Sequence, residues 1–332
     1  GSGKTLAFAI PTVARLADGP RRRPRRPRAL VLVPTRELAN QVAETMRGVA
    51  GSMGLVTAVV YGGVGQGGQV QALERGVDVL VACPGRLEDL IGQGYCSLDA
   101  VQVTVLDEAD HMADLGFLPA VRRILDRTPS GTQRLLFSAT LDRGIDVLVR
   151  TYLEHPVVHS VDPASSPVPQ MTHHVLSVPH DSKGTLVREL AGGLERSLLF
   201  TRTKHGAKKV AKQLTASGVP AVELHGNLSQ AARERNLSAF ADGSVRVLVA
   251  TDIAARGIHV DDVALVVHVD PPAEHKAYLH RSGRTARAGA SGVVVTIMTP
   301  EQRNDVRSLM RSADIKPVIT DVEPGHPIVT DL

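Results

Sequence analysis

Three groups of residues have the types and spacings that could do chemistry. The first closes the run Val101–Asp110, V-Q-V-T-V-L-D-E-A-D, in which five of the first six residues are Val, Thr or Leu and three carboxylates follow, Asp107, Glu108 and Asp110. Such a run suits a strand buried on both faces of a parallel sheet, and its C-terminal end is where open α/β sheets bind ligands. Carboxylates there could hold a divalent cation or orient a water. An acid-rich helix start would read the same way, and the stretch alone leaves the two readings even. The second group is Gly1–Thr5, G-S-G-K-T, which runs straight into the apolar L-A-F-A-I of a helix expected to reach about Ala17. It has the form of the second half of a P-loop. The backbone of Gly1, Ser2 and Gly3 would approach phosphates, Lys4 would reach the β- and γ-phosphates, and the Thr5 hydroxyl would ligate Mg²⁺ at the helix N-terminus. A flexible Gly-Ser terminus is the bland alternative, and the direct passage into a helix speaks against it. The third group is Tyr278–Arg287, Y-L-H-R-S-G-R-T-A-R, where spacings of four and three predict His280, Arg284 and Arg287 on one helical face.

Strands alternating with helices must position these groups. Strands are predicted at Ala29–Val33, Leu55–Val60, Val77–Ala82, across the acidic run, at Arg134–Phe137 and near Val157–Ser160, giving a parallel, helix-covered sheet. Thr35 is a plausible N-cap for the helix after Val33. Val161–Gln170, rich in Pro and Ser, reads as an extended linker. Beyond it the first half repeats. The pattern Thr35-x-x-x-Ala39-x-x-Val42-Ala43 recurs from Thr203, and Val77-x-Val79-Leu80-Val81-Ala82 recurs from Val245, both at an offset of 168. One offset shared by two unrelated segments implies two copies of one domain. At that offset Pro169–His173 stands where the first copy has its P-loop, so the second copy is expected to lack a nucleotide site. Its arginines would then serve the first copy's triphosphate, the arginine-finger arrangement.

Composition excludes several classes. No apolar run approaches membrane-spanning length, and two cysteines, Cys83 and Cys96, are too few for a disulfide framework. With Gly first and no signal-peptide pattern, the reading is a cytoplasmic protein whose beginning is missing. No Cys/His cluster has zinc-ligand spacing, and His173, His174, His180 and His275 are expected to be surface or edge residues. Six arginines fall in Gly19–Arg28, and removing them takes the chain from +4 to −2. That Pro-punctuated loop, expected to be solvated, disordered and away from the phosphates, therefore accounts for the basic balance. With aromatics at 3% and no Trp, a base-stacking platform is not expected, and any grip on nucleic acid would fall on its backbone.

The ordered series G-S-G-K-T, P-T-R-E-L-A, G-G, P-G-R, D-E-A-D, S-A-T, H-G, Q-x-x-R, A-T-D-x-A-A-R-G and H-R-x-G-R-x-x-R resembles the motif series of DEAD-box ATP-dependent RNA helicases over essentially the whole chain. The resemblance implies an α/β protein of two tandem RecA-like domains, 1–160 and 171–332, joined by a flexible linker at 161–170. ATP and Mg²⁺ would be the cofactors. Lys4 and Thr5 would hold phosphates and metal, Asp107 would hold Mg²⁺ mainly through water, and Glu108 would orient or deprotonate the attacking water. Arg284 and Arg287 would neutralise the transferring phosphoryl group. His280 and Asp110, with Ser138 and Thr140, would couple the triphosphate to closure of the two domains. Gly257 and His259 would lie at the ribose. Thr35, Arg36, Gly62, Gly63, Arg86, Gln230, Arg233 and Thr251 would contact the RNA backbone without reading its sequence.

Three departures from the family pattern matter. The chain begins inside the P-loop, so the upstream strand and adenine-recognising segment are expected to be missing, with weak ATP affinity and poor stability as the consequence. His259 stands where Asp is usual, and Cys83 where a Thr usually precedes Pro-Gly-Arg. Cys83 is read as buried and inert. The expected function is an RNA-dependent ATPase that unwinds short duplexes or remodels RNA-protein complexes, acting as a monomer without a membrane partner, with protein partners engaged through flanking segments. An ATP-gated RNA clamp with slow or lost hydrolysis is the alternative.

Overall fold

The computed structural model of the chain describes residues 3–20, 22–141, 143–159, 171–193, 195–255, 263–286, 291–330 and 332. The chain divides into two compact units, Gly1–Ser160 and Val161–Leu332. In the first unit the strands are β1 (Ala29–Leu32), β2 (Thr57–Val60), β3 (Val79–Ala82), β4 (Val103–Leu106) and β5 (Gln133–Leu136), all parallel in the order β2-β3-β1-β4-β5. Alternate residues feed two apolar layers. Ala29, Val31, Val79, Val81, Val103 and Val105 pack against Phe8 and Leu16 of the helix Lys4–Ala17 and against Val42 and Met46 of the helix Arg36–Gly51. Leu30, Leu32, Leu80 and Leu106 face the other way, onto Leu73, Leu87, Leu90, Val121, Ile124 and Ile145. Burial on both faces is why β1, β3 and β4 read as unbroken apolar runs.

The second unit holds β6 (Met171–Ser177), β7 (Ser197–Phe200), β8 (Ala221–Leu224), β9 (Val247–Ala250), β10 (Leu265–His268), β11 (Gly292–Met298) and β12 (Val318–Asp321), in the order β12-β6-β11-β10-β7-β9-β8. The offset of 168 is realised in three places: β7 against β1, β9 against β3, and two helices capped alike. Thr35 accepts from the Leu38 amide at 3.3 Å and Thr203 from the Gly206 amide at 3.0 Å. The offset fails at the unit's beginning, where Met171–His173 opens β6 rather than replacing a phosphate loop. The strand-to-helix connection there is Val178–Ser182, without glycine, and Lys183 behind it is tied to Asp270 at 2.8 Å.

Other expectations are also corrected. Residues 157–159 form no strand, and Val157 and Val158 are 79% and 71% exposed; Ser160 lies outside the described residues, as does the predicted linker. Nothing described pairs with these residues. The arginine loop is pinned rather than disordered, although Arg22, Arg23, Arg25 and Arg26 stay exposed as expected. Arg25 bonds Glu74 at 2.8 Å and lies over the Tyr95 ring, Arg26 pairs with Asp99 at 3.0 Å, and the buried Arg28 bonds Asp78 at 3.1 Å and the Leu16 carbonyl at 2.6 Å. His173 is no surface residue either, because β6 lies inside the sheet and its Nδ1 meets the Tyr278 hydroxyl at 2.7 Å. Among the described residues no helix is long and apolar enough to cross a membrane.

Candidate active site

The strands of the first unit deliver their functional residues at their C-terminal ends. Asp107 extends β4 by one residue, its amide bonding the Leu32 carbonyl at 3.0 Å, which fixes it at the sheet rim with 4% exposure. Burial pushes its carboxyl up to about 6, the neighbouring Glu108 charge adds to this, and the Lys4 ammonium opposes it. Glu108 then takes a left-handed backbone, φ 51° and ψ 53°, that turns the chain sharply into the short helix Ala109–Asp114. A left-handed non-glycine residue is uncommon and strained, and such strain gathers at functional sites. The Ala109 amide, bonded to the Phe137 carbonyl at 3.0 Å, holds the turn against the end of β5.

That end carries Ser138 and Thr140. Ser138 Oγ accepts from the Asp110 amide at 3.2 Å and donates to the Thr140 carbonyl at 2.6 Å, while Thr140 Oγ1 donates to Asp110 Oδ2 at 3.4 Å. Three of the four residues expected to act together thus form one network, and the fourth, His280, is carried by the second unit. Lys4 opens its helix behind Gly3, whose φ of 68° suits glycine, and Phe8 packs tilted against Phe137 with ring centroids 5.3 Å apart, joining that helix to the same corner. Thr5 is half-buried and Lys4 exposed; Gly1 and Ser2 lie outside the described residues. A divalent cation suits this donor set. Burial raises the Asp107 carboxyl to about 6, and Asp107 and the Thr5 hydroxyl are hard oxygen donors, whereas among the described residues no three carboxylate, His or Cys side chains gather as a metal cluster.

A second cluster occupies the ends of β1, β2 and β3. The Arg36 guanidinium lies so close over Gly63 that a Cβ there would come within 2.2 Å of it, and Gly63 has φ 77°. Two constraints thus select glycine at one position. Gln69 clamps the preceding turn through both the amide and the carbonyl of Tyr61, at 3.1 and 3.0 Å. Arg86 Nη2 donates to the Val64 carbonyl at 3.2 Å. Thr35, Arg36, Gly62, Gly63 and Arg86 are therefore carried on one rim of the first unit.

In the second unit Gln230 is buried and donates to Glu234 at 3.0 Å, and Arg233 reaches the carbonyls of His225 and Ala254, each at 3.5 Å. Thr251 follows β9, and its backbone carbonyl accepts from the amides of Ala254 and Ala255. His280, Arg281 and Arg284 line one small depression with Phe200, Asp252, Ala255 and Ala277. The helix His275–Ser282 stops before Gly283, so Arg284 does not share a helical face with His280 as expected. Thr285 bonds the Val263 carbonyl at 2.5 Å and the Ala264 carbonyl at 3.1 Å, which pulls the chain out of helical geometry. Arg284 sits in that turn; Arg287, Gly257 and His259 lie outside the described residues.

Comparison with known proteins decides the family. The model described as DEAD/DEAH box helicase matches residues 1–148, and that of the helicase conserved C-terminal domain matches 183–289. The ATP-dependent RNA helicase RhlB of Haemophilus influenzae is 39% identical over 91% of this chain and 74% of its own length. The chain belongs to the DEAD-box helicase family. Another relative in that family, the chloroplastic DEAD-box ATP-dependent RNA helicase 3A of Zea mays, is 42% identical over 95% of the chain, which spans only 43% of its length. Saccharomyces cerevisiae Dbp5 bound to RNA and ADP BeF3 superposes with a TM-score of 0.82 at 26% identity, over 97% of this chain and 83% of that one. Both units are RecA-like parallel-sheet domains.

Within this DEAD-box core, sequence reasoning missed Arg281 and His111. Arg281 is buried and forks onto Asp252, Nε at 2.5 Å and Nη2 at 2.7 Å, while Nη1 bonds the Asp270 carbonyl at 2.9 Å and the guanidinium lies over Phe200. It locks the strand ends of β7, β9 and β10 to the helix carrying His280. Its partner lies 29 residues away, so no local spacing announces it. His111 Nδ1 lies 3.1 Å from Glu108 Oε2, a spacing of three that an acid-centred search could have flagged. Cys83 fits its inert reading: it is buried, and burial pushes its thiol up to about 12.

Proposed function

We propose that this chain is an RNA-dependent ATPase that unwinds short duplexes or remodels RNA-protein complexes. The observation that carries the reading is one corner of the first unit, where Lys4, the buried Asp107, Glu108 and the Asp110–Ser138–Thr140 network converge. Lys4 and Thr5 hold the triphosphate with Mg²⁺, which Asp107 also holds. When bound, the metal neutralises charge on the phosphates. Glu108 orients the attacking water and takes its proton, and Arg284 and Arg287 supply positive charge to the transferring phosphoryl group. The naming of relatives as ATP-dependent RNA helicases supports this, as does the RNA and ADP BeF3 held by Dbp5. The rim carrying Arg36, Gly63 and Arg86 binds single-stranded RNA through its backbone, which agrees with the scarcity of aromatics.

Phosphate release with and without single-stranded RNA tests the reading, with Glu108→Gln as control. The wild type is expected to be stimulated by RNA and the variant to lose roughly 10²- to 10⁴-fold in turnover, the usual size of a general-base contribution. Equal rates in the two proteins would leave a clamp instead of a hydrolase.

A further inference from the structure

Glu108 is held by more than its backbone. His111, on the third residue of the helix Ala109–Asp114, is 4% exposed, and its Nδ1 lies 3.1 Å from Glu108 Oε2. Its own backbone is fixed at both ends: the amide donates to Asp110 Oδ1 at 3.1 Å, and the carbonyl accepts from the Leu115 amide at 3.1 Å. The imidazole's other nitrogen, Nε2, is buried without a hydrogen-bond partner. An ionised carboxylate only accepts, so Nδ1 carries the hydrogen and a neutral ring leaves Nε2 as a bare lone pair. An orphaned buried nitrogen is destabilising, so packing alone does not account for an imidazole at this position. The contact to Glu108 does.

We propose that His111 is a positioning residue whose Nδ1–H fixes the orientation of the Glu108 carboxylate for the attacking water. This rests on the hydrolytic role proposed above for Glu108. A glutamate on a sharply turned backbone still has three side-chain torsions to settle, and its side chain is 29% exposed. A charge-assisted hydrogen bond from a buried, immobile ring removes that freedom before substrate arrives.

The test is RNA-stimulated hydrolysis by the whole chain in four forms: wild type, His111→Phe, His111→Asn and His111→Gln. Phe keeps the ring volume without a donor, Asn places an N–H near the position of Nδ1, and Gln places it near Nε2. In His111→Phe, kcat is expected to fall roughly ten- to hundredfold while KM for ATP stays within about twofold, as for a misplaced catalytic group. Asn restores kcat to within about threefold and Gln does not, because only Asn can reach Glu108. In the Glu108→Gln background, His111→Phe has no further effect on kcat, since the two residues act as one unit. A purely structural role would instead lower the melting temperature and impair Phe and Asn alike. An active wild type with an unaffected Phe variant, or an Asn variant as impaired as Phe, overturns the proposal alone. A wild type without RNA-stimulated hydrolysis overturns the function reading, and this proposal with it.

Discussion

A carboxyl buried to 4% exposure beside two other acids, as Asp107 is, destabilises the nucleotide-free protein that carries it. Its folded-state value, about 6, lies above the ordinary 3.8, so the folded chain binds that proton more tightly than the unfolded one. The penalty is complete above about 6, shrinks as pH falls from 6 toward 3.8, and is absent below that. Asp107→Asn removes the charge while keeping the oxygen that accepts from the Glu108 amide at 3.0 Å. At pH 7.5 without metal, the variant should be more stable by about 1–3 kcal/mol. Near pH 4.5 most of that gain should be gone, and RNA-stimulated turnover should be lost at any pH. Denaturant titrations at the two values check it. A variant less stable than wild type at pH 7.5 would contradict the burial argument.

At the scale of elements, the arginine loop is what holds the sheet's far end. Arg28 and Asp78 are both nearly sealed from water, at 5% and 4% side-chain exposure. Asp78 also accepts from the Val56 amide at 2.9 Å, and Arg28 reaches the last turn of the first helix through the Leu16 carbonyl. One ion pair thus ties that helix to the starts of β1 and β3 and to the approach to β2. Breaking a buried pair leaves an uncompensated charge, so Arg28→Met should lower unfolding free energy by about 3–5 kcal/mol. Adding Asp78→Asn should recover part of the loss, and a denaturant double-mutant cycle measures the coupling. Additive effects would show that the pair is not coupled. Neither partner was legible in the sequence, because they stand 50 residues apart and the loop's composition reads as solvated. The strands β1, β3 and β4 were legible because burial on both faces makes them continuous apolar runs, and the cap at Thr35 because it acts on an amide three residues away. The premature end of the helix at Ser282 was not, since the bonds that draw Thr285 away come from Val263 and Ala264, far upstream.

For the whole molecule, the duplicated architecture was written in a repeated offset, but where charge is used depends on which end of each sheet a residue occupies. Arg36 and Arg86 sit at the C-terminal rim, where Gly63 and Val64 hold them, whereas the exposed Arg22 and Arg23 lie in the loop before β1, at the opposite end of the strands. A chain with formal charge +4 would bind nucleic acid diffusely if every arginine took part. If only the rim binds, its two cations, Arg36 and Arg86, give a slope of log affinity against log salt of roughly −1.4 for single-stranded RNA. Replacing Arg22 and Arg23 by Ser should leave that slope unchanged, and Arg86→Ala should make it shallower by about 0.7, one phosphate's share. Fluorescence-anisotropy titrations over a range of salt measure all three. A slope that flattens with the Arg22 and Arg23 substitutions would move the RNA to the loop end of the sheet, away from Asp107 and Glu108, and sever binding from hydrolysis.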